Sequence, residues 1–185
     1  AALMPQTIFS SRNKRNLRIG FIGTGLRGQW MLWLATKYPD VEIPAICDID
    51  DGMISAALKI IKDSGRKEPK VYKKNDEDFR NLVKNEELDG VYIATPWEWH
   101  HPMAIAAMKE GIHVGTEVPA ALTVNECWDL VNVSENTGKF CMIMENVCYR
   151  RDVMAVLNMV RRNMFGELLH CQGGYQHDLR HVLSL

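Results

Sequence analysis

Three glycines and an acid are the residues of this chain whose types and spacing point most directly to chemistry. Gly23, Gly25 and Gly28 stand in the run Gly23-Thr24-Gly25-Leu26-Arg27-Gly28, and Asp48 follows Gly28 by twenty residues. A G-x-G-x-x-G turn that joins a strand to a helix has the parts of a dinucleotide cradle. The first glycine permits a tight turn. The second lets a pyrophosphate approach the backbone, and the third lets the helix pack close to the strand. Free N–H groups and the positive dipole end of that helix then face the phosphates. Asp48 closes a second apolar run. There it can accept from both hydroxyls of an adenosine ribose and would repel a 2′-phosphate, so the expected cofactor is NAD and not NADP. The competing reading of Asp48 is an N-cap for the next helix, a task for which Asp50 is at least as well placed.

A second constellation is Pro96-Trp97-Glu98-Trp99-His100-His101-Pro102, directly after the apolar run at 88–95. In an open α/β sheet, ligands sit beyond the carboxyl ends of the strands. Trp97 and Trp99 could wall a cofactor cleft, and His100 could hydrogen-bond a ribose or a substrate. The alternative is an aromatic cap, with His101 and Pro102 opening the next helix.

These residues need a scaffold, and the hydrophobic pattern supplies one. Strands are expected at 17–22, 41–47, 71–72, 88–95, 112–115 and 139–144, with Pro44 predicting an irregularity or an edge position in the second. Helices are expected at 26–38, 50–63, 75–84, 102–110 and 123–137. In the first, Trp30, Leu34 and the stretch around Met31 should face the sheet. Thr123 and Glu126 have the spacing of a capping box, and Gly138 stands where that helix should end. Six strands alternating with helices make an α/β, doubly wound, Rossmann-type and mostly parallel sheet. It is expected over 17–149, after a polar arm at 1–16. Residues 150–185, with a helix at 152–163 carrying Val, Met and Leu at core spacing and a strand at 168–175, read as the opening of a second α+β domain. That strand has no partner in the sequence.

Composition narrows the classes further. The 185 residues are 46% hydrophobic and 24% charged, with a net charge of -1. That gives no electrostatic case for a nucleic-acid or membrane-surface partner. No apolar run approaches the ~20 residues that span a bilayer. The five cysteines (Cys47, Cys127, Cys141, Cys148 and Cys171) match no zinc or disulfide framework, and no metal site is expected.

The segments GFIGTGLRG, CDID, IATPWEWHHPMAIAAMKEGIHVGTEVPAALTVNECWDLV and GELLHCQGGYQHDLR together resemble the glucose-fructose oxidoreductase and inositol dehydrogenase family, from Leu17 onward. Most dehydrogenases of that family carry T-P-N-x-x-H and E-K-P segments. Here Trp97 replaces the Asn, and Val118 replaces the Lys that aids proton transfer at the substrate alcohol. Val118 can neither donate, accept nor carry charge. The T-P-W-x-W-H and T-E-V-P-A-A variants are similar instead to one branch, the NAD-dependent glycosidases of glycoside hydrolase family 109, characterised as α-N-acetylgalactosaminidases.

The resemblance implies that Leu26, Arg27, Asp48, Trp97, Glu98, Trp99, His100, Glu117, Val118 and Asn146 line NAD, and that Tyr175 faces the sugar. From the residues alone, Asn146 could equally be a turn residue and Tyr175 a packed strand aromatic. His177, Asp178 and Arg180 could be substrate contacts or a solvated turn. The implied reaction is hydrolysis through transient oxidation at sugar C3, elimination across C2 and C1, addition of water and re-reduction. This is an exception to the two-carboxylate scheme. The family's proton-transfer residues match nothing before Leu185, so this chain is expected to be an NAD-binding half without activity alone. The alternatives are a sugar or polyol dehydrogenase of the same family and a non-catalytic NAD-binding module. Family members often associate through the sheet of the second domain, and relatives of this branch are often exported bacterial proteins.

Overall fold

The computed structural model describes residues 15–174 and Asp178. The chain divides after Glu145 into two compact units. The first holds a parallel sheet built on β1 (Leu17–Ile22), β2 (Val41–Glu42), β3 (Ala45–Cys47), β4 (Lys70–Tyr72), β5 (Gly90–Ile93), β6 (His113–Thr116) and β7 (Cys141–Ile143). Its order is β4-β3-β1-β5-β6-β7, with β2 paired to the start of β1. All pairings are parallel. The chain runs outward from β1 to one edge, crosses back to β5 and runs to the other edge, which is the doubly wound Rossmann order.

The single run expected at 41–47 is two strands. Pro44 lacks an N–H and interrupts the ladder, but its carbonyl is still used, accepting from Lys70 N at 2.9 Å.

The sheet is covered on both faces by helices α1 (Leu26–Ala35), α2 (Asp51–Asp63), α3 (Phe79–Asn85), α4 (Trp97–Lys109) and α5 (Val124–Thr137). Alternate strand residues feed two cores. Phe21, Ile46 and Tyr92 pack with Leu32 of α1 and Ile54, Ala57 and Ile61 of α2. Ile22, Cys47, Val91 and Ile93 pack with Phe79 and Leu82 of α3 and with Met103, Ala104, Ala107 and Met108 of α4. Burying each of the larger side chains contributes about 1.5–3 kcal/mol. Burial on both faces explains why β5 reads as continuously apolar.

Helix α1 meets the sequence expectation at Met31, which packs against the sheet core, but not at Trp30. Its buried residues are Gly28 and Leu32, while Trp30 is 56% exposed. Gly28 sets this rotation: it sits closest to the strand, and Leu32, one turn on, shares its face. Trp30 and Trp33 instead pack against each other outside, centroids 5.2 Å apart with their planes tilted by 30°. Helix α4 also differs, starting at Trp97 with Pro96 as N-cap and holding Pro102 inside it. The Trp-His segment is therefore the first turn of a helix and not a loop. Helix α5 matches its signals: Thr123 and Glu126 form a reciprocal capping box, and Gly138 ends it at φ 66°.

The second unit contains a 3-10 turn (Val147–Tyr149) and α6 (Arg151–Arg161). No residue of α6 is buried, so its apolar stripe is not core as expected. Residues 168–174 form no strand. An extended segment becomes a strand only when a neighbour completes its ladder.

Candidate functional site

The end of β1 turns sharply into α1, and each glycine of the turn has a separate physical reason. Gly23 has φ +87°, and a Cβ there would lie 2.5 Å from the Ala94 carbonyl oxygen. A Cβ on Gly28 would run into the Gly23 carbonyl, so this glycine lets helix and strand close up. A Cβ on Gly25 would meet nothing within 4 Å. Its missing side chain relieves no protein contact; it leaves open space over the turn. Gly25 is also the N-cap of α1, which has no side-chain cap and no acidic residue in its first turn. The positive end of this helix is thus left for an external anion.

A cavity of about 470 Å³ opens at this point, a volume within the range of small-molecule sites. It spans the carboxyl ends of β1, β3 and β5, where the strand order reverses. Gly23, Gly25, Leu26 and Arg27 line one side, Asp48 and Ile49 another, and Thr95, Pro96 and Trp99 a third.

Asp48 is held more firmly than its sequence position indicated. One carboxylate oxygen accepts from Thr24 N at 2.5 Å and Thr24 Oγ1 at 2.9 Å; the other accepts from Ile49 N at 2.8 Å and Asp50 N at 3.0 Å. Four donors match the four lone-pair sites of a carboxylate. Asp48 therefore locks the glycine turn to the end of β3, and a ribose hydroxyl reaching it would share an oxygen with one of these donors. The N-cap of α2 is Asp50, which accepts from Met53 N at 2.9 Å. The N-cap task that sequence left open for Asp48 therefore falls to Asp50.

The first turn of α4 spreads its side chains. Trp99 lines the cavity and packs edge-on against Phe79, centroids 6.1 Å apart. Trp97 is 62% exposed, and neither it nor Glu98 lines the cavity. His100 is buried at 1% exposure. Its Nδ1 lies 2.6 Å from Pro119 O and its Nε2 2.9 Å from Thr95 O, so the ring ties the end of β5 to the segment after β6. The side chain does not line the cavity.

Glu117 and Arg27 meet across the turn. Arg27 Nε donates to Glu117 Oε1 at 2.7 Å, and the Tyr92 hydroxyl donates to the same oxygen. Burial pulls the Arg27 pKa down, but the bond to Glu117 and its charge more than offset this, and the net shift is upward. Val118 is 43% exposed, precedes a cis bond to Pro119, and does not line the cavity. Asn146 belongs to the second unit, just before the 3-10 turn. Tyr175, His177 and Arg180 lie outside the described residues.

Sequence reading missed Thr24, Met53 and Tyr92. Thr24 is buried and bonded to Asp48, and Met53 lines the cavity. The signal for Tyr92 was present: a tyrosine within an apolar parallel strand needs a partner for its hydroxyl. Cys47 also lines the cavity, but burial pushes its thiol up to about 12, so it is not a nucleophile near neutral pH. Among the described residues, no group of three or more His, Cys, Asp or Glu side chains could hold a metal ion. No described helix is long and apolar enough to cross a membrane.

Residues 17–145 match the model of an oxidoreductase family with an NAD-binding Rossmann fold. The chain belongs to that family. Residues 149–184 match the C-terminal domain of glycosyl hydrolase 109. A glycosyl hydrolase family 109 protein of Parabacteroides distasonis is 55% identical over 174 residues, covering 94% of this chain and 37% of the relative. An alpha-N-acetylgalactosaminidase of Tannerella forsythia is 56% identical over 167 residues, covering 90% of this chain and 36% of the relative. The chain thus spans less than two-fifths of the length of these two relatives. Among solved structures, scyllo-inositol dehydrogenase of Lactobacillus casei, with bound NAD(H) and scyllo-inositol, superposes with a TM-score of 0.71 at 19% identity, covering 83% of this chain and 43% of that one. A myo-inositol dehydrogenase of Lactobacillus plantarum gives a TM-score of 0.70 at 23% identity, with the same coverage. At such identities the likeness is one of fold.

Proposed function

We propose that this chain serves an NAD-dependent glycosidase acting on α-N-acetylgalactosaminides, with residues 17–145 as the cofactor platform. The likeness to the Tannerella forsythia enzyme, over nine-tenths of the chain, carries this reading. The fit of the site to a dinucleotide supports it. Gly25 leaves room over an uncapped helix N-terminus, and the backbone of Gly25 to Arg27 would receive the pyrophosphate. Asp48 stands where an adenosine ribose would lie and disfavours a 2′-phosphate. Trp99 would wall the cleft on the β5 side, while His100 holds that wall to the segment following Glu117.

When bound, NAD supplies a hydride acceptor that can return the hydride to the same sugar. The chain's own part is to place and shield that exchange. Val118 supports the glycosidase over an ordinary alcohol dehydrogenase, because it offers no group to move a proton where related dehydrogenases keep a lysine. Cys47 is too weakly acidic to serve as a nucleophile. Tyr175, to which the sugar contact is assigned, lies outside the described residues, and no residue of the cavity is assigned the movement of the substrate's protons.

The test incubates the protein, at the full length of its glycosyl hydrolase family 109 relatives, with NAD and a chromogenic α-N-acetylgalactosaminide. Release of the leaving group without net NADH supports the proposal. Net NADH from a free sugar would replace it with a dehydrogenase. Stoichiometric NAD binding with no turnover on either substrate would favour a non-catalytic module.

A further inference from the structure

Tyr92 lies in the middle of β5, 5% exposed, on the sheet face that packs under α1. Its ring contacts Phe21, centroids 5.6 Å apart, and its hydroxyl donates to Glu117 Oε1. Glu117 is also tied through its backbone, its N–H donating to Ile93 O at 2.9 Å. The same carboxylate oxygen accepts from Arg27 Nε. A line of contacts therefore runs from the sheet floor, through a carboxylate whose side chain is 12% exposed, to a guanidinium on the lip of the cavity whose side chain is 40% exposed. Only the Nε edge of Arg27 is used in the bond to Glu117, and its two terminal nitrogens carry four further N–H donors.

We infer that Tyr92 is a positioning residue: its hydroxyl fixes Glu117, and through it the Arg27 guanidinium, for the nicotinamide half of the bound dinucleotide. The half follows from topology. Asp48 ends β3, on one side of β1, and marks the adenosine end. Glu117 ends β6, two strands from β1 on the other side. A guanidinium drawn toward Glu117 is drawn away from the adenosine and toward the distal phosphate and second ribose. This inference rests on the dinucleotide reading of the cavity.

The chemistry suits a fixed support. Burial first, and then the bond to Glu117, push the Tyr92 pKa up, so the phenol stays a neutral O–H donor across the working range. A guanidinium free to rotate would lose conformational freedom on binding a ligand; one already held loses less.

The test is Tyr92→Phe, which keeps the ring packing and removes only the hydroxyl. NAD and AMP are titrated into the wild type and the variant by calorimetry. AMP occupies the Asp48 end and lacks the distal phosphate and second ribose. The expected result is NAD binding weakened about tenfold, equivalent to about 1.4 kcal/mol, with AMP binding unchanged. Unchanged NAD binding, or equal losses for both ligands, would overturn the inference. A ligand-free readout runs beside it: hydrogen exchange of the Arg27 Nε–H, followed by nitrogen-15 NMR. It should be slow in the wild type and faster in the variant, where Glu117 keeps its bond to Arg27 but loses the Tyr92 hydroxyl; equal rates would overturn Tyr92's role. If the wild type binds no NAD, the cofactor reading fails, and the exchange measurement still decides whether Tyr92 holds Arg27.

Discussion

Alanine at Gly23 and alanine at Gly25 should fail in opposite ways. At Gly23 the backbone has φ +87°, where an L side chain costs about 1–2 kcal/mol. The added Cβ would also lie 2.5 Å from Ala94 O, 2.6 Å from Ala94 C and 2.8 Å from Thr95 N. These are backbone atoms of the segment leaving β5 and cannot rotate away, so overpacking adds about 1–3 kcal/mol. Gly23→Ala should therefore lose about 2–5 kcal/mol. With a urea slope of about 2 kcal/mol per molar, its unfolding midpoint should fall by about 1–2.5 M. At Gly25 the backbone has φ -64° and a Cβ meets nothing. The stability loss should stay below about 1 kcal/mol, the difference between glycine and alanine as an N-cap. That Cβ, however, would stand where a pyrophosphate approaches, and NAD affinity should fall about tenfold or more. The assays are urea unfolding followed by circular dichroism and calorimetric titration with NAD. A Gly23→Ala protein as stable as wild type would refute the steric argument. A Gly25→Ala protein that binds NAD normally would refute the cradle.

Asp48→Asn replaces one acceptor oxygen by an amide that faces N–H and O–H donors, so thermal unfolding should show a loss of about 1–3 kcal/mol along with weaker NAD binding; a melting curve matching wild type would mean that Asp48 does not lock the turn. Iodoacetamide at mildly alkaline pH should alkylate the exposed Cys127, Cys148 and Cys171 in the folded protein and spare Cys47, whose thiol burial pushes up to about 12; mass spectrometry before and after unfolding reads this directly. The Leu122 N–H, foremost, and the Thr123 N–H hold the Glu126 carboxyl below its usual range, so its stabilising contribution is present above the ordinary carboxylate pKa and is lost as pH falls through the depressed one. Glu126→Gln should accordingly unfold at lower urea than wild type at neutral pH, with the gap closing in acid; a gap independent of pH would contradict the capping role.

The doubly wound, parallel class of the sheet was legible because most strands are apolar runs bounded by Gly, Pro or acid, and because alternating strands and helices leave few parallel topologies. The glycine turn was legible because three backbone demands fall at a fixed spacing. Rotations and starts of helices were not. Trp30 looked like core because it is large and apolar, but the close approach at Gly28 turns Leu32 inward and leaves the tryptophans to pack against each other outside. Proline favours a first helical position, which drew the start of α4 to Pro102. The helix begins at Trp97 because Pro96 stands at its cap. The segment at 168–174 carries strand residues and forms no strand, since pairing is not a local property. In the site, position at the end of a strand announced Asp48 and the family resemblance announced Glu117, but neither showed that Thr24 saturates the one and Tyr92 supports the other. Such partners are brought together by the sheet and not by spacing.

The most direct test of the central claim is a calorimetric titration of the purified protein with NAD and, separately, with NADP. The account predicts one NAD per chain, bound through the glycine turn and Asp48, and markedly weaker NADP. Binding of neither nucleotide, or a preference for NADP, would contradict it.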